Sequence, residues 1–113
     1  MRLLVTGSRD WTDRQRVFDV LNRLRPTVII EGGARGLDTI VSQLAKSWGI
    51  PIITFPADWR TYGKAAGSIR NQQMLDEGKP DYVVAFPLPQ SKGTWDMVRR
   101  ARKAGLAIEI INS

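Results

Sequence analysis

Residues 27–55 read TVIIEGGARGLDTIVSQLAKSWGIPIITF, and they decide the fold. An apolar run of strand character, TVIIE (27–31), breaks at Gly32 and Gly33. LDTIVSQLAKSW (37–48) then carries apolar residues at 37, 40, 41, 44, 45 and 48, the spacing of one helix face. On that stripe Trp48 reads as a core residue. Gly49 stands where a left-handed helix cap is wanted, and Pro51 leads into IITF (52–55), a second strand. Strand, helix and strand joined by short turns form a βαβ unit, whose strands run parallel.

The alternation continues on both sides. RLLVT (2–6) is a short apolar strand. TDRQRVFDVLNRLR (12–25) places Val17, Val20, Leu21 and Leu24 on one helical stripe. Thr12 and Gln15 have capping-box spacing, and Pro26 stops the helix. After an irregular stretch, PADWRTYGKAAG (56–67), SIRNQQMLDE (68–77) is a shorter helix closed by Gly78 and Pro80. DYVVAF (81–86) is a fourth strand and PLPQSKG (87–93) a loop. TWDMVRRARKA (94–104) is a helix with Thr94 as N-cap and Gly105 as stop, and AIEII (107–111) is a fifth strand. Five apolar strands separated by helices predict an α/β fold. It is one domain over residues 1–113, a Rossmann-like three-layer sandwich on a five-stranded, mainly parallel sheet.

Composition narrows the chemistry. The 113 residues are 42% hydrophobic and 25% charged, an ordinary globular balance. No cysteine is present, which excludes disulfides, thiolate nucleophiles and cysteine zinc sites. No histidine is present either, which removes the usual general base and most zinc catalysis. No metal or cofactor is expected. No apolar stretch has the length of a membrane span, so a cytoplasmic location without a membrane partner is the expectation. The formal net charge of +6 suits a nucleic-acid or polyphosphate partner. Much of that excess sits at helix ends (Arg23, Arg25, Arg99, Arg100, Arg102, Lys103), where cations complement the helix dipole.

In a parallel sheet, ligands lie beyond the carboxyl ends of the strands. Those ends carry GSRDW, GGARG, PADWR and PLPQSKGTW, which hold Arg9, Arg35, Arg60 and Lys92 together with Trp11, Trp59 and Trp95. Glycine turns bring backbone amides close to a phosphate, arginines add bidentate contacts, and indoles stack on bases. The opposing readings are structural. The glycines also serve tight turns, the tryptophans also seal a core, and Asp10, Asp38 and Asp96 also suit helix starts. No loop is a Walker A sequence, and GGARG lacks the dinucleotide fingerprint's spacing.

VTGSRDW, GGARGLD, FPADW, AGSIRNQQMLDEGKPDYVVAF and KGTWDMV resemble, in order and over essentially the whole chain, the short YspA-like proteins of the SLOG superfamily. These occur in bacteria and phages. Relatives in that superfamily include the DNA-processing protein DprA and the Lonely Guy phosphoribohydrolases. The resemblance implies a Rossmann-like domain that binds nucleotides or their derivatives at the strand ends. Matched by position, the implied site is Gly7, Ser8 and Arg9; Gly32, Gly33, Arg35 and Gly36; Arg70 and Asn71; Gly93 and Thr94. Loop neighbours Asp10, Trp11, Asp38, Asp58, Trp59 and Asp96 complete the candidate ligand-binding set.

The Lonely Guy signature Pro-Gly-Gly-x-Gly-Thr-x-x-Glu is altered here to PQSKGTWDM, with Met97 at the glutamate position. Asp96 is one residue away, about 100° around a helix. The expected function is therefore binding of a nucleotide-derived small molecule, an ADP-ribose-like or cyclic-nucleotide signal, by a sensor or sequestering protein. No catalytic residue is assigned. DprA-like single-stranded DNA binding is the first alternative and nucleoside-phosphate hydrolysis the second. A second copy of the chain, forming a homodimer, is a candidate partner.

Overall fold

Leu3 and Val5 pack on one side of a central sheet and Leu4 on the other, and all three are fully buried. Strict alternation with both faces covered makes this strand the middle of a sandwich. The computed structural model, which describes residues 1–113, contains β1 (Arg2–Gly7), α1 (Arg14–Leu24), β2 (Val28–Glu31), α2 (Leu37–Trp48) and β3 (Ile52–Thr54). A helical turn, α3 (Trp59–Tyr62), and a 3-10 turn at Gly63–Ala65 precede α4 (Ala66–Gly78), β4 (Tyr82–Phe86), α5 (Lys92–Lys103) and β5 (Ala107–Ile110). The sheet order is β3-β2-β1-β4-β5 and every pairing is parallel. The expected α/β Rossmann-like sandwich is the observed one. No helix is long and apolar enough to cross a membrane.

Two cores flank the sheet. Val17, Val20 and Leu21 of α1 and Leu37, Val41, Leu44 and Ala45 of α2 join Leu3, Val5, Ile29, Val84 and Phe86 on one face. Met74 and Leu75 of α4 and Met97 and Ala101 of α5 join Leu4, Ile30 and Val83 on the other. Each fully buried large side chain contributes about 1.5–3 kcal/mol of apolar transfer, so both layers are firmly docked.

Several local expectations are corrected. The N-cap of α1 is Asp13, whose carboxylate accepts from the Arg16 amide at 3.1 Å, and not Thr12; Gln15 bonds Asp19 instead of closing a capping box. Thr94 is not the cap of α5, because the helix already begins at Lys92 with Ser91 before it. The stretch expected to be irregular folds into α3, the 3-10 turn and the start of α4. Trp48 is not a core residue. It lies at the end of α2, 36% exposed, tilted against Phe18.

The chain winds outward from β1 through β2 to β3, then returns to place β4 on the other side of β1. The loops after β1 and β4 therefore leave toward opposite layers, which opens a crevice at the carboxyl end of the sheet. The two strands stay paired to the end, with Gly7 opposite Phe86 and the Ser8 amide bonded to the Phe86 carbonyl. The loops after β1 and β2 are drawn together at Gly36. A Cβ there would lie 2.1 Å from the Arg9 carbonyl oxygen, and the residue's φ is +73°. Gly36→Ala is expected to destabilise the fold by roughly 2–4 kcal/mol, since backbone strain and a backbone clash add. Urea unfolding measures it, and a loss under about 0.5 kcal/mol, as for a neutral surface change, would contradict this close contact.

Candidate functional site

The crevice is a cleft of about 690 Å³. Of the residues expected from sequence, it gathers Gly7, Ser8, Arg9 and Asp10 after β1, and Gly32, Arg35 and Asp38 around the β2–α2 turn. Trp59, Arg70 and Asn71 come from α3 and α4, and Gly93, Thr94 and Asp96 from α5. Four others are placed elsewhere. Trp11 is 3% exposed, edge-on to Phe86 with its indole N–H on the Asp13 carbonyl, so it seals the core. Gly33 borders an adjoining chamber and not the cleft itself. Gly36 contributes the backbone approach described above. Asp58 caps α3 by accepting from the Thr61 amide, and it faces a separate groove along α4 that Asp76 and Glu77 also line.

The β2–α2 turn is built around two buried acids. Glu31, 1% exposed, accepts from the Gly33 amide at 2.8 Å and from the Thr54 hydroxyl at 2.6 Å. Asp38, 7% exposed in the first turn of α2, reaches back to the Ala34 amide at 3.1 Å. Two amides of the glycine turn are thus already bonded to the chain's own carboxyl groups. In this respect the turn is unlike a phosphate-cradling loop, where such amides face the ligand.

Arg70 ties that turn to α4. Its Nη1 donates to the Gly32 carbonyl at 2.8 Å and, more weakly, to the Phe55 carbonyl at 3.4 Å, while Nε donates to the Asn71 side chain. A side chain at Gly32 would displace the Arg70 guanidinium, since a Cβ would lie 2.3 Å from its Nη1. Asn71, 4% exposed, carries the network across the cleft by donating to the Gly93 carbonyl at 3.1 Å and to Asp96 at 3.0 Å. Arg100 holds Asp96 from behind at 2.9 Å. This chain of polar contacts fixes the start of α5 relative to the β2–α2 turn.

Electrostatics separates the acids. Burial, reinforced by the charge of Glu31, pushes the Asp38 carboxyl up to about 7, although the Ala34 and Gly32 amides and the Arg70 charge oppose the rise. Burial also disfavours ionised Asp96, but hydrogen bonds from Asn71 and Arg100 and the nearby charges of Arg100 and Arg99 outweigh it. Its pKa lies below the ordinary value. Burial lowers the Arg70 pKa, against the pull of Asp38 and Glu31.

The far wall of the cleft is the start of α5. No side chain caps this helix, and the amides of Gly93 and Thr94 have no backbone acceptor. Thr94 is 4% exposed and lines the cleft. Four cleft cations, Arg9, Arg35, Lys64 and Lys92, enter none of the chain's three ion pairs. Lys64, Gln90, Ser91 and Arg99, unexpected from the sequence, also line the cleft, as does Lys92, a strand-end cation outside the expected site set. Lys92, Asp96 and Arg99 share one helix face by their spacing, but that face is recognisable only once α5 is started at Lys92. Lys64 had no such signal, lying in a stretch without periodicity. Arg60 lies outside the cleft.

Comparisons with known proteins agree with this architecture. The profile of the YspA, cpYpsA-related SLOG family (YAcAr) matches residues 1–62. The Gene 61 protein of Mycobacterium phage D29 is 41% identical over 119 aligned positions, covering 95% of this chain and 93% of that protein.

The raised Asp38 pKa has a signed consequence for stability. The folded value lies above the ordinary carboxyl value of 3.8, so the native state binds the extra proton and stability falls as pH rises from about 4 to about 7, then levels off. Asp38→Asn removes the titration while keeping an acceptor for the Ala34 amide. The variant is expected to gain stability relative to the parent across that window, read by urea unfolding at a series of pH values. Parallel curves for the two proteins would contradict the buried-acid description.

Proposed function

The chain belongs to the YspA, cpYpsA-related SLOG family, and from that premise we propose that its cleft binds a nucleotide or nucleotide-derived molecule, of the ADP-ribose or cyclic-nucleotide kind, as a sensor or sequestering protein. One observation carries the reading. Four cations without carboxylate partners, Arg9, Arg35, Lys64 and Lys92, surround a cleft that also contains an exposed indole and an uncapped helix start. These cations outnumber the cleft acids that enter no ion pair, Asp10 and Asp38, and an excess of positive charge in a concave site favours an anion, to which the helix dipole adds at Gly93 and Thr94. Lys92 and the Thr94 hydroxyl suit a phosphoryl group there, while Trp59, 51% exposed, suits a base. Asp38 and Asp96 suit hydroxyl groups of a sugar.

A hydrolytic role finds little support. The position of the signature glutamate is Met97, with no exposed surface, packed among Leu4, Ile30, Met74 and Val83. Met97→Glu is expected to destabilise the protein by roughly 3 kcal/mol or more by burying an unpaired carboxylate. A Met97→Glu protein as stable as its parent, and releasing free base from nucleoside monophosphates, would reverse this conclusion.

A second reading rests on a specific feature. Arg99 borders both the cleft and a neighbouring groove that also holds Lys103, so the Lys92–Arg99–Lys103 stripe of α5 extends the positive surface beyond the cleft. That stripe suits a single-stranded nucleic acid. The two readings separate by salt. A strand bound along α5 loses affinity with a log–log slope of about 0.7 per phosphate contacted, whereas a single nucleotide in the cleft gives a slope near one contact. Thermal unfolding with a panel of nucleoside phosphates and ADP-ribose tests the primary reading. A ligand-dependent rise in Tm is expected, reduced in Lys92→Gln. No rise with any of them, beside salt-steep strand binding, would favour the second reading.

A further inference from the structure

A side chamber of about 430 Å³ continues from the cleft and shares six of its nine lining residues with it, Arg9, Arg35, Arg70 and Trp59 among them. Three arginines line this chamber and no carboxylate does. Arg9 and Arg35 enter no ion pair, and Arg70 uses Nε and Nη1 on Asn71 and two carbonyls, with no bond from Nη2. Arg70 already feels the buried carboxyl groups of Asp38 and Glu31, whereas Arg9 and Arg35 have no ion-pair partner, and their planar forks match phosphoryl oxygens. Backbone recognition is largely closed off on this side, because the Gly33 and Ala34 amides are bonded to Glu31 and Asp38. Any anion here is held by the arginine side chains.

The other anion-favouring element, the start of α5 with Lys92, borders the cleft and not this chamber. Trp59 borders both spaces and is half exposed. The phosphoryl groups of a nucleoside diphosphate are bonded neighbours and occupy one space. Two anion-favouring places with one indole beside both suit two phosphoryl groups with a nucleoside between them.

We propose that the side chamber is a second anion subsite and that the ligand is a phosphate-linked dinucleotide. One phosphoryl group lies at the start of α5, the next lies between Arg9 and Arg35, and the intervening base stacks on Trp59. The proposal rests on the nucleotide reading above and makes it narrower.

The test is calorimetric titration of the whole chain with 5′-AMP, with the 5′-phosphorylated dinucleotide pApA, and with a longer 5′-phosphorylated oligoadenylate. The dinucleotide is expected to bind about tenfold or more tightly than AMP, the gain of one further charge-assisted contact. The oligoadenylate is expected to bind no more tightly than pApA. In Arg35→Gln, a change at an exposed side chain, the ratio between pApA and AMP is expected to fall close to one. Equal affinities of the parent protein for AMP and pApA would overturn the second subsite while leaving the nucleotide reading intact, and so would a ratio unchanged in Arg35→Gln. Much tighter binding of the oligoadenylate would overturn the dinucleotide in favour of a strand along α5. Failure of all three to bind would overturn the dinucleotide, and the panel of nucleoside phosphates and ADP-ribose then decides the wider nucleotide reading.

Discussion

The Glu31 carboxylate, buried at the end of β2, accepts from the Gly33 amide and the Thr54 hydroxyl, and the near side of the cleft is organised around those two bonds. A carboxylate with 1% exposure has exchanged water for protein donors, and removing either donor leaves a buried charge under-solvated. That requirement fixes the turn after β2 against β3. Once the turn is fixed, the Gly32 carbonyl is presented to Arg70, Asp38 reaches the Ala34 amide, and Gly36 passes beneath the Arg9 carbonyl. Asn71 then relays the arrangement to Gly93 and Asp96 on the opposite wall.

Internal use of those amides leaves them unavailable to the anion of the proposed reading. The starts of α2, α4 and α5 border the cleft; α4 continues from the 3-10 turn, which leaves α2 and α5 as the helices that begin afresh there. The α2 start has Asp38 in its first turn, with its side chain folded back over the Ala34 amide. The α5 start has neither an acid in its first turn nor a capping side chain. The field of the two helix dipoles is therefore unequal. One end is locally compensated by a carboxyl group and the other is open to a phosphoryl group. Arg9 and Arg35, outside every ion pair, restore a positive potential on the compensated side. Polar bonds on one wall and exposed cations above it suit holding and discriminating a ligand.

The architecture was legible because period and punctuation agreed. The stripe from Leu37 to Ala45 and the continuous apolar runs around Leu4 and Val84 leave little choice but helices over a doubly covered parallel sheet. The position of the cleft followed from the same topology, since Arg9, Arg35 and Arg70 come to it along three different elements. What failed was local. The cap of α1 went to Asp13 because the chain turns one residue later than the Thr12 spacing suggested, and Ser91 took the place expected of Thr94. Trp11 and Trp48 exchanged expectations, the loop tryptophan entering the core and the helix tryptophan reaching solvent. An indole at an element boundary fits either way, and only the tertiary position of Phe86 or Phe18 decides. Glu31 carries no signal in the sequence, where it simply follows Val28, Ile29 and Ile30, yet its buried bonds determine what the glycines beside it can do.

The central claim is that phosphoryl groups meet the amides at the start of α5 and not those of the glycine turn. Amide chemical shifts of the isotope-labelled protein, followed by NMR during titration with 5′-AMP, test it most directly. The account predicts that the Gly93 and Thr94 resonances move with saturation while those of Gly33 and Ala34 stay in place. Saturable movement of Gly33 and Ala34 with Gly93 and Thr94 unchanged would contradict it.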